Sequence, residues 1–308
     1  MLRLARPSSR ISRLLAAAPA AILTAEFVTF DFAYYVGKPF GNDARLYLAA
    51  TQAWLSGGDP WNVASAGIRF AGVPVTLLPF APFAWLSPDA MTAVVFLASV
   101  VAAVFIVQRV GLPVWWLLFP PLIEAIWSGS VNIIVLALAL TRLEWLAVVT
   151  KTYAGLPALL LGHIRQLVIA AVVVIVTVPF LPWQAFLSHD LGDVLSAQAW
   201  GGRSAWINPV VLIPVSLVAL ALVGRQRAAW WSVPVLWPAT QFHYSIFAMP
   251  ARPSVLAAGI LAIPWPGAPV VAIVAEAAVR RWGDAVRRAN PLGSAAQERD
   301  SVPVQVVR

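Results

Sequence analysis

Apolar runs of bilayer-spanning length alternate with short polar breaks along nearly the whole chain. Windows 90–108, 204–224, 228–251 and 253–275 carry no Asp, Glu, Lys or Arg. Roughly 20 apolar residues cross a bilayer as a helix, and backbone groups in lipid must be satisfied within the segment. The pattern therefore predicts spanning helices near 12–34, 70–87, 90–108, 112–128, 130–142, 144–163, 166–183, 207–224, 228–249 and 254–279, nine or ten in all. Segments 70–87, 112–128 and 144–163 are short and interrupted by Pro, so one re-entrant piece is expected among them. The expected fold is all-α: a polytopic helical membrane protein with one transmembrane domain over 1–282. The tail at 283–308 has the composition of a disordered segment.

One stretch breaks the pattern. Residues 37–69 are polar, and within them "GNDARLYLAATQAWLSGGDPWN" (41–62) reads as a small amphipathic helix. Leu46, Leu48, Ala49, Ala50, Ala53, Trp54 and Leu55 give it one apolar side, and Asn42 or Asp43 is the expected N-cap. Gly57 and Gly58 suit its C-terminal turn, and Pro60 forbids continuation. Such a helix lies in the plane of the outer interface. Asp43 is then either a cap and nothing more, or a carboxylate at the mouth of a membrane-facing cavity.

Composition sharpens this picture. The 308-residue chain is 60% hydrophobic and 11% charged, against about 25% charged in a typical soluble domain. A surface so poor in charge is suited to lipid. The absence of cysteine excludes disulfides and thiolate metal sites. A net charge of +8 raises the question of nucleic acid, but its placement answers it. Arg3, Arg6, Arg10 and Arg13 precede the first segment; Arg280, Arg281, Arg287 and Arg288 follow the last; Arg225 and Arg227 fall between two spans. This is the positive-inside pattern, with both termini cytoplasmic and with 37–69, 184–206 and 241–252 gathered on the outer face. The N-terminal "LLAAAPAAILTA" also fits a cleavable signal. An uncleaved first helix is preferred because apolar character continues through "EFVTFDFAYYV". Trp115, Trp116, Trp183, Trp230 and Trp231 are expected in interfacial belts.

Few residues remain for chemistry. His243, between Phe242 and Tyr244, is either an interfacial side chain or a functional one. His189 with Asp190 and Asp193 is either a solvated loop or a divalent metal site. Lys151, one of two lysines, lies in an apolar block. Its ammonium is a functional candidate by default, unless it snorkels to an interface or pairs with Glu144 or Glu124. His163 beside Arg165 reads as cytoplasmic and without a role, and Asp59 as structural.

Asp43, Tyr47, the pair Ala49-Ala50, Gly57 and Pro60-Trp61 together resemble the first extracytoplasmic loop of the GT-C glycosyltransferases. The closest likeness is to the polyprenol-phosphate-mannose-dependent mannosyltransferases of glycosyltransferase family 87. "PFAPFAWLSP" resembles the Pro-rich start of the family's next helix. "GSVNIIVLALAL" resembles its Gly-Gln-x-Asn helix, with Ser130 in place of Gln and Asn132 retained. "KTYAGLP" resembles a Lys-x-Tyr-Pro element whose Pro has moved to 157, and "PATQFHYSIFAMP" resembles the His-Tyr helix. The likeness is spread over about 40–250 in a chain shorter than most members.

The resemblance implies an inverting hexosyltransferase of the cytoplasmic membrane, with its active site on the extracytoplasmic face. It would move a sugar, mannose above all, from a polyprenyl-phosphate donor to a lipid or glycan acceptor. It implies Asp43 as general base, with Asp31 in reserve. It further implies His243, Tyr244, Gln241, Lys151, Arg45, Tyr47, Arg203 and Asn132 as donor-phosphate or substrate contacts, with Arg252 a further cation. No metal, cofactor or nucleic acid enters this account. Two alternatives stand beside it. Broken helices with Lys151 and Glu124 inside apolar segments also fit a transporter or lipid flippase. The short chain and Ser130 also fit a non-catalytic homologue.

Overall fold

The computed structural model describes residues 10–31, 39–189 and 202–289. The fold is mostly helical. α1 (Arg10–Glu26) closes in a π turn, Phe27–Asp31, and α2 covers Asn42–Leu55. A turn at Pro60–Asn62 leads to a two-residue hairpin in which β1 (Ala64–Ser65) pairs antiparallel with β2 (Ile68–Arg69). A ten-residue 3-10 helix, Pro74–Phe83, precedes α3 (Pro88–Val110). Short helices follow: α4 (Pro120–Ser128), α5 (Asn132–Ala139), α6 (Glu144–Thr150), α7 (Gly155–Leu161), α8 (Ile164–Thr177) and α9 (Trp183–Ser188). The described C-terminal half holds α10 (Pro209–Val223), α11 (Arg225–Leu236), a 3-10 helix Phe242–Ala251, α12 (Val255–Ala262) and α13 (Ala268–Ala289).

Among the described residues α3 alone is long and apolar enough by itself to cross a bilayer; α4 and α5 would add a second span if read as one broken helix, bent by 117°. α3 is well punctuated. Ser87 caps it by accepting a hydrogen bond from the Ala90 N–H at 3.2 Å, Pro88 occupies its first turn, and Gly111 ends it in the left-handed region. Its 23 residues span about 34 Å at 1.5 Å per residue. Elsewhere Pro and Gly cut the predicted spans into pieces. Segment 70–87 is a 3-10 helix and not a span, because Pro79 and Pro82 remove the amides a continuous α-helix needs.

The legs run between two ends, and the hydrogen bonds define them. At one end Gly41 N–H meets the Trp127 carbonyl, Arg45 meets Asp89, Asp59 meets His189, and Arg203 meets Thr240 and Trp265. At the other, Arg252 bonds the Val110 carbonyl, Arg225 bonds the Leu160 carbonyl, and Arg280 bonds the Arg252 carbonyl. α3 joins the two, with Asp89 in its first turn and Arg109 in its last.

This arrangement corrects one expectation. Residues 228–249 do not form one span ending at an outer segment 241–252. α11 stops at Leu236, before Pro238, and the chain turns back through Phe242–Ala251 alongside it. Arg252 thus lies at the end that holds Arg225, opposite Gln241. The segment 254–279 is likewise two pieces, parted at Pro264 and Pro266. Two tryptophans expected at an interface are core residues: Trp116 and Trp231 are fully buried. Large apolar side chains instead face outward, Leu97 and Val101 on α3, Val172 and Ile175 on α8, Val210 and Val218 on α10, and Val271 on α13.

Candidate active site

α2 is launched by Gly41, not by a side-chain cap. Gly41 takes φ 71°, ψ 21°, and neither Asn42 nor Asp43 caps the helix. Asn42 is buried and accepts a hydrogen bond from the Ser65 hydroxyl at 2.6 Å, tying the hairpin to the helix. Asp43 sits in the first turn, where the helix dipole favours a carboxylate. The end of α2 follows the sequence expectation: Gly57 adopts φ 79° and the Gly58 N–H bonds the Ala53 carbonyl at 2.7 Å. Asp59 is structural. It accepts from Trp61 N–H and from the Asn62 amide, both at 2.9 Å, and lies 2.7 Å from His189 Nε2.

Below α2 lies a cavity of about 120 Å³ within about 800 Å³ of void that includes its mouth. Five parts of the chain line it. α2 gives Asp43, Leu46 and Tyr47; the hairpin and its exit give Arg69, Phe70 and Thr76; the α4–α5 corner gives Ser130 and Asn132, and the turn after α6 gives Lys151 and Tyr153; the segment after α11 gives Trp237, Gln241, His243 and Tyr244. Asp43 and His243, 200 positions apart in sequence, therefore face one space. Seven of the nine candidates from sequence line it: Asp43, Tyr47, Asn132, Lys151, Gln241, His243 and Tyr244.

The other two do not. Arg45 turns away to Asp89, 2.7 Å distant and well exposed, a pair of the kind that contributes little. Arg203 is buried and holds the backbone: its guanidinium bonds the Trp265 and Ile263 carbonyls and lies 4.6 Å from the Phe242 ring centroid. Arg252 is at the opposite end of the molecule. Asp31 closes the π turn after α1; its side chain, like Asp190 and Asp193, lies outside the described residues. Among the described residues no three His, Asp or Glu side chains come together as metal ligands.

Lys151 pairs with neither glutamate considered for it. Glu144 is 2.6 Å from His163 Nδ1, and Glu124 is 3.1 Å from His243 Nδ1. The Lys151 ammonium instead lies over the Tyr47 ring, 4.9 Å from its centroid, a cation–π contact. His243 is not interfacial. It is buried, stacks on Tyr244 with centroids 5.2 Å apart, and is held from behind by buried Glu124. Burial first, and then the Asp43 charge, push the Tyr47 phenol upward from its ordinary value, so it stays a hydrogen-bond donor at neutral pH.

Two features of the lining escaped the sequence. Tyr153 donates to the Asn132 side-chain oxygen, and the Asn132 amide nitrogen is left buried with no hydrogen-bond partner. Buried amide donors are seldom unpaired, so this N–H₂ is free to meet an acceptor brought into the cavity. Arg69, on the exposed hairpin, adds a cation at the mouth. The signal for Tyr153 was its place two residues after Lys151; nothing local marks Arg69. Compared with family models, characterised proteins and solved structures, the chain matches none.

Proposed function

We propose that this protein is a polytopic membrane glycosyltransferase that moves a hexose, mannose in the first instance, from a polyprenyl-phosphate donor to a lipid or glycan acceptor on the extracytoplasmic side. One observation carries the reading: a carboxylate (Asp43), an ammonium (Lys151) and a carboxylate-backed imidazole (His243) line a single cavity. Sugar transfer from a phosphate donor asks for those groups. Asp43 takes the proton of the acceptor hydroxyl. The freed oxygen pair attacks the anomeric carbon from the face opposite the phosphate. The bond from that carbon to the phosphate oxygen breaks, and its electron pair leaves with the polyprenyl phosphate. Lys151 and His243 stabilise the charge that develops there, and the Asn132 amide receives a sugar or phosphate oxygen.

The membrane setting draws support from the outward apolar side chains of α3, α8, α10 and α13, which in water would form a patch far larger than soluble proteins carry. It also draws support from charge. Arg109, Arg225, Arg227, Arg252 and Arg280 gather at the end away from the cavity, while at the cavity end Arg45, Arg69, Arg203 and Lys151 stand among Asp43, Asp59 and Asp89. This is the asymmetry of a protein whose arginine end is cytoplasmic. α11, with 12 residues, rises about 18 Å, short of the ~30 Å hydrocarbon core, which sets the cavity floor part-way down from the outer surface.

The test is transfer of labelled mannose from a polyprenyl-phosphate donor to membrane lipids. Asp43→Asn should lower the rate by about 10²–10⁴-fold without loss of folded protein. Equal rates for the two proteins would remove Asp43 from its role, and solute or lipid transport without glycosyl transfer would replace this reading by a transporter.

A further inference from the structure

A second cavity, of about 480 Å³, opens at the arginine end. Arg225, Arg227, Arg252 and Trp230 line it, and none of its lining residues is acidic. It is built from two separated stretches of the chain, 223–230 and 250–252. α11 begins at Arg225, and its N-cap, Gly224, supplies no side chain to its first amides, so the positive end of that helix opens here. Arg225 is anchored by its Nε–H to the Leu160 carbonyl at 2.5 Å. Arg252 is anchored by its Nε–H to the Val110 carbonyl at 2.9 Å. Each guanidinium thus docks on the carbonyl end of a helix, α7 or α3, next to a glycine that leaves room for it. A Cβ on Gly162 would fall 3.0 Å from Arg225 Nη2, and one on Gly111 would fall 3.1 Å from Arg252 Nη2.

Helix capping explains those anchors but not the whole arrangement. Each guanidinium has five donors, and the anchors use only part of each set. Arg252 also takes φ 51°, a left-handed backbone unusual for a side chain of its size. The Arg227 guanidinium caps nothing and makes no hydrogen bond or ion pair among the described residues, its only bond there being from its backbone N–H to the Gly224 carbonyl at 3.1 Å. Three exposed guanidinium groups line one hollow with no acid on its wall, and an anion entering it would meet all three.

We propose that this cavity binds a phosphate group. Its planar guanidinium donors and open helix start match phosphate oxygens. The indole of Trp230 beside them matches the interfacial level of a phospholipid, which makes an anionic lipid headgroup the first candidate source and a soluble phosphate the second. The site is distinct from the Asp43 cavity, and its occupancy does not depend on glycosyl transfer.

The experiment uses the full chain purified in detergent micelles and has two arms. In the first, phosphatidylglycerol and phosphatidylcholine compete for retention on the protein, read by native mass spectrometry. In the second, inorganic phosphate and pyrophosphate are titrated and read by calorimetry. The variants are Arg227→Gln, which removes a cation that holds no backbone, and Arg142→Gln, an exposed arginine outside the cavity. We expect preferential retention of phosphatidylglycerol, weakened about five-fold by Arg227→Gln, as for one basic charge near a lipid surface, and unchanged by Arg142→Gln. Binding of phosphate with the same dependence on Arg227, and no lipid preference, would assign the site to the soluble source. Absence of Arg227-dependent binding in both arms, or an equal effect of Arg142→Gln, would overturn the proposal.

Discussion

Replacing Gly41 by alanine tests how the structure sets Asp43 in place. Gly41 starts α2 with φ 71°, a conformation that costs a residue with a Cβ about 1–2 kcal/mol. The space is also closed. The added carbon would lie 2.2 Å from Thr92 Cγ2, 2.6 Å from Thr92 Oγ1 and 2.9 Å from Thr92 Cβ. Thr92 has little freedom to yield: it is 4% exposed on α3, and its hydroxyl donates to the Pro88 carbonyl at 2.8 Å. Overpacking of this kind adds about 1–3 kcal/mol. Gly41→Ala should therefore destabilise the protein by about 2–5 kcal/mol, the sum of the two effects. Thr92→Ala deletes the two nearest atoms and leaves Cβ at 2.9 Å. In that background the alanine at 41 should recover part of the overlap cost and none of the backbone cost. The coupling between these neighbours should reach about 1–2 kcal/mol, within the 0.5–3 kcal/mol range for residues in contact. Reversible unfolding of the four proteins in detergent by denaturant measures all the terms. A Gly41→Ala protein within about 0.5 kcal/mol of the parent, the size of an ordinary surface substitution, would refute the reasoning. So would a cost unchanged by Thr92→Ala.

Two further outcomes follow from the same site. Glu124→Ala should cost about 3–5 kcal/mol, as for breaking a buried pair on one side, and should cost less in a His243→Ala background; strict additivity in the unfolding series would separate the two side chains energetically. The Tyr47 phenol, raised in the folded state above its ordinary value of 10, keeps its proton after the unfolded chain has lost it. The folded state then binds more protons than the unfolded state above pH 10, so stability falls as pH rises from there through the folded-state value. Tyr47→Phe should remove that part of the alkaline loss, and identical pH–stability curves for the two proteins would count against it.

Much of the site was legible in local sequence. The limits of α2 followed from the apolar pattern of Leu46, Leu48 and Ala50 and from Gly57, Gly58 and Pro60 as a stop. Asp59 carried its structural role in the Asp-Pro turn it opens. What local sequence could not supply was partnership. Glu144 and Glu124 each seemed available to Lys151, yet each meets a histidine brought by another leg, His163 or His243. Arg45 and Arg203 carry the right charge at the right end but spend it on Asp89 and on backbone carbonyls.

The sequence by itself determined that this chain is helical, where the helix over Asn42–Leu55 stops, and which few residues carry charge, because each is a property of a residue and its near neighbours. Only the tertiary structure decided which broken pieces turn back. Gln241 and Arg252 are 11 positions apart in sequence and stand at opposite ends because the 3-10 helix between them runs down beside α11. That reversal puts His243 in the cavity with Asp43 and Arg252 in the other cavity with Arg225. Its direction depends on what packs against what across the bundle, and no local pattern of apolar and polar residues records it.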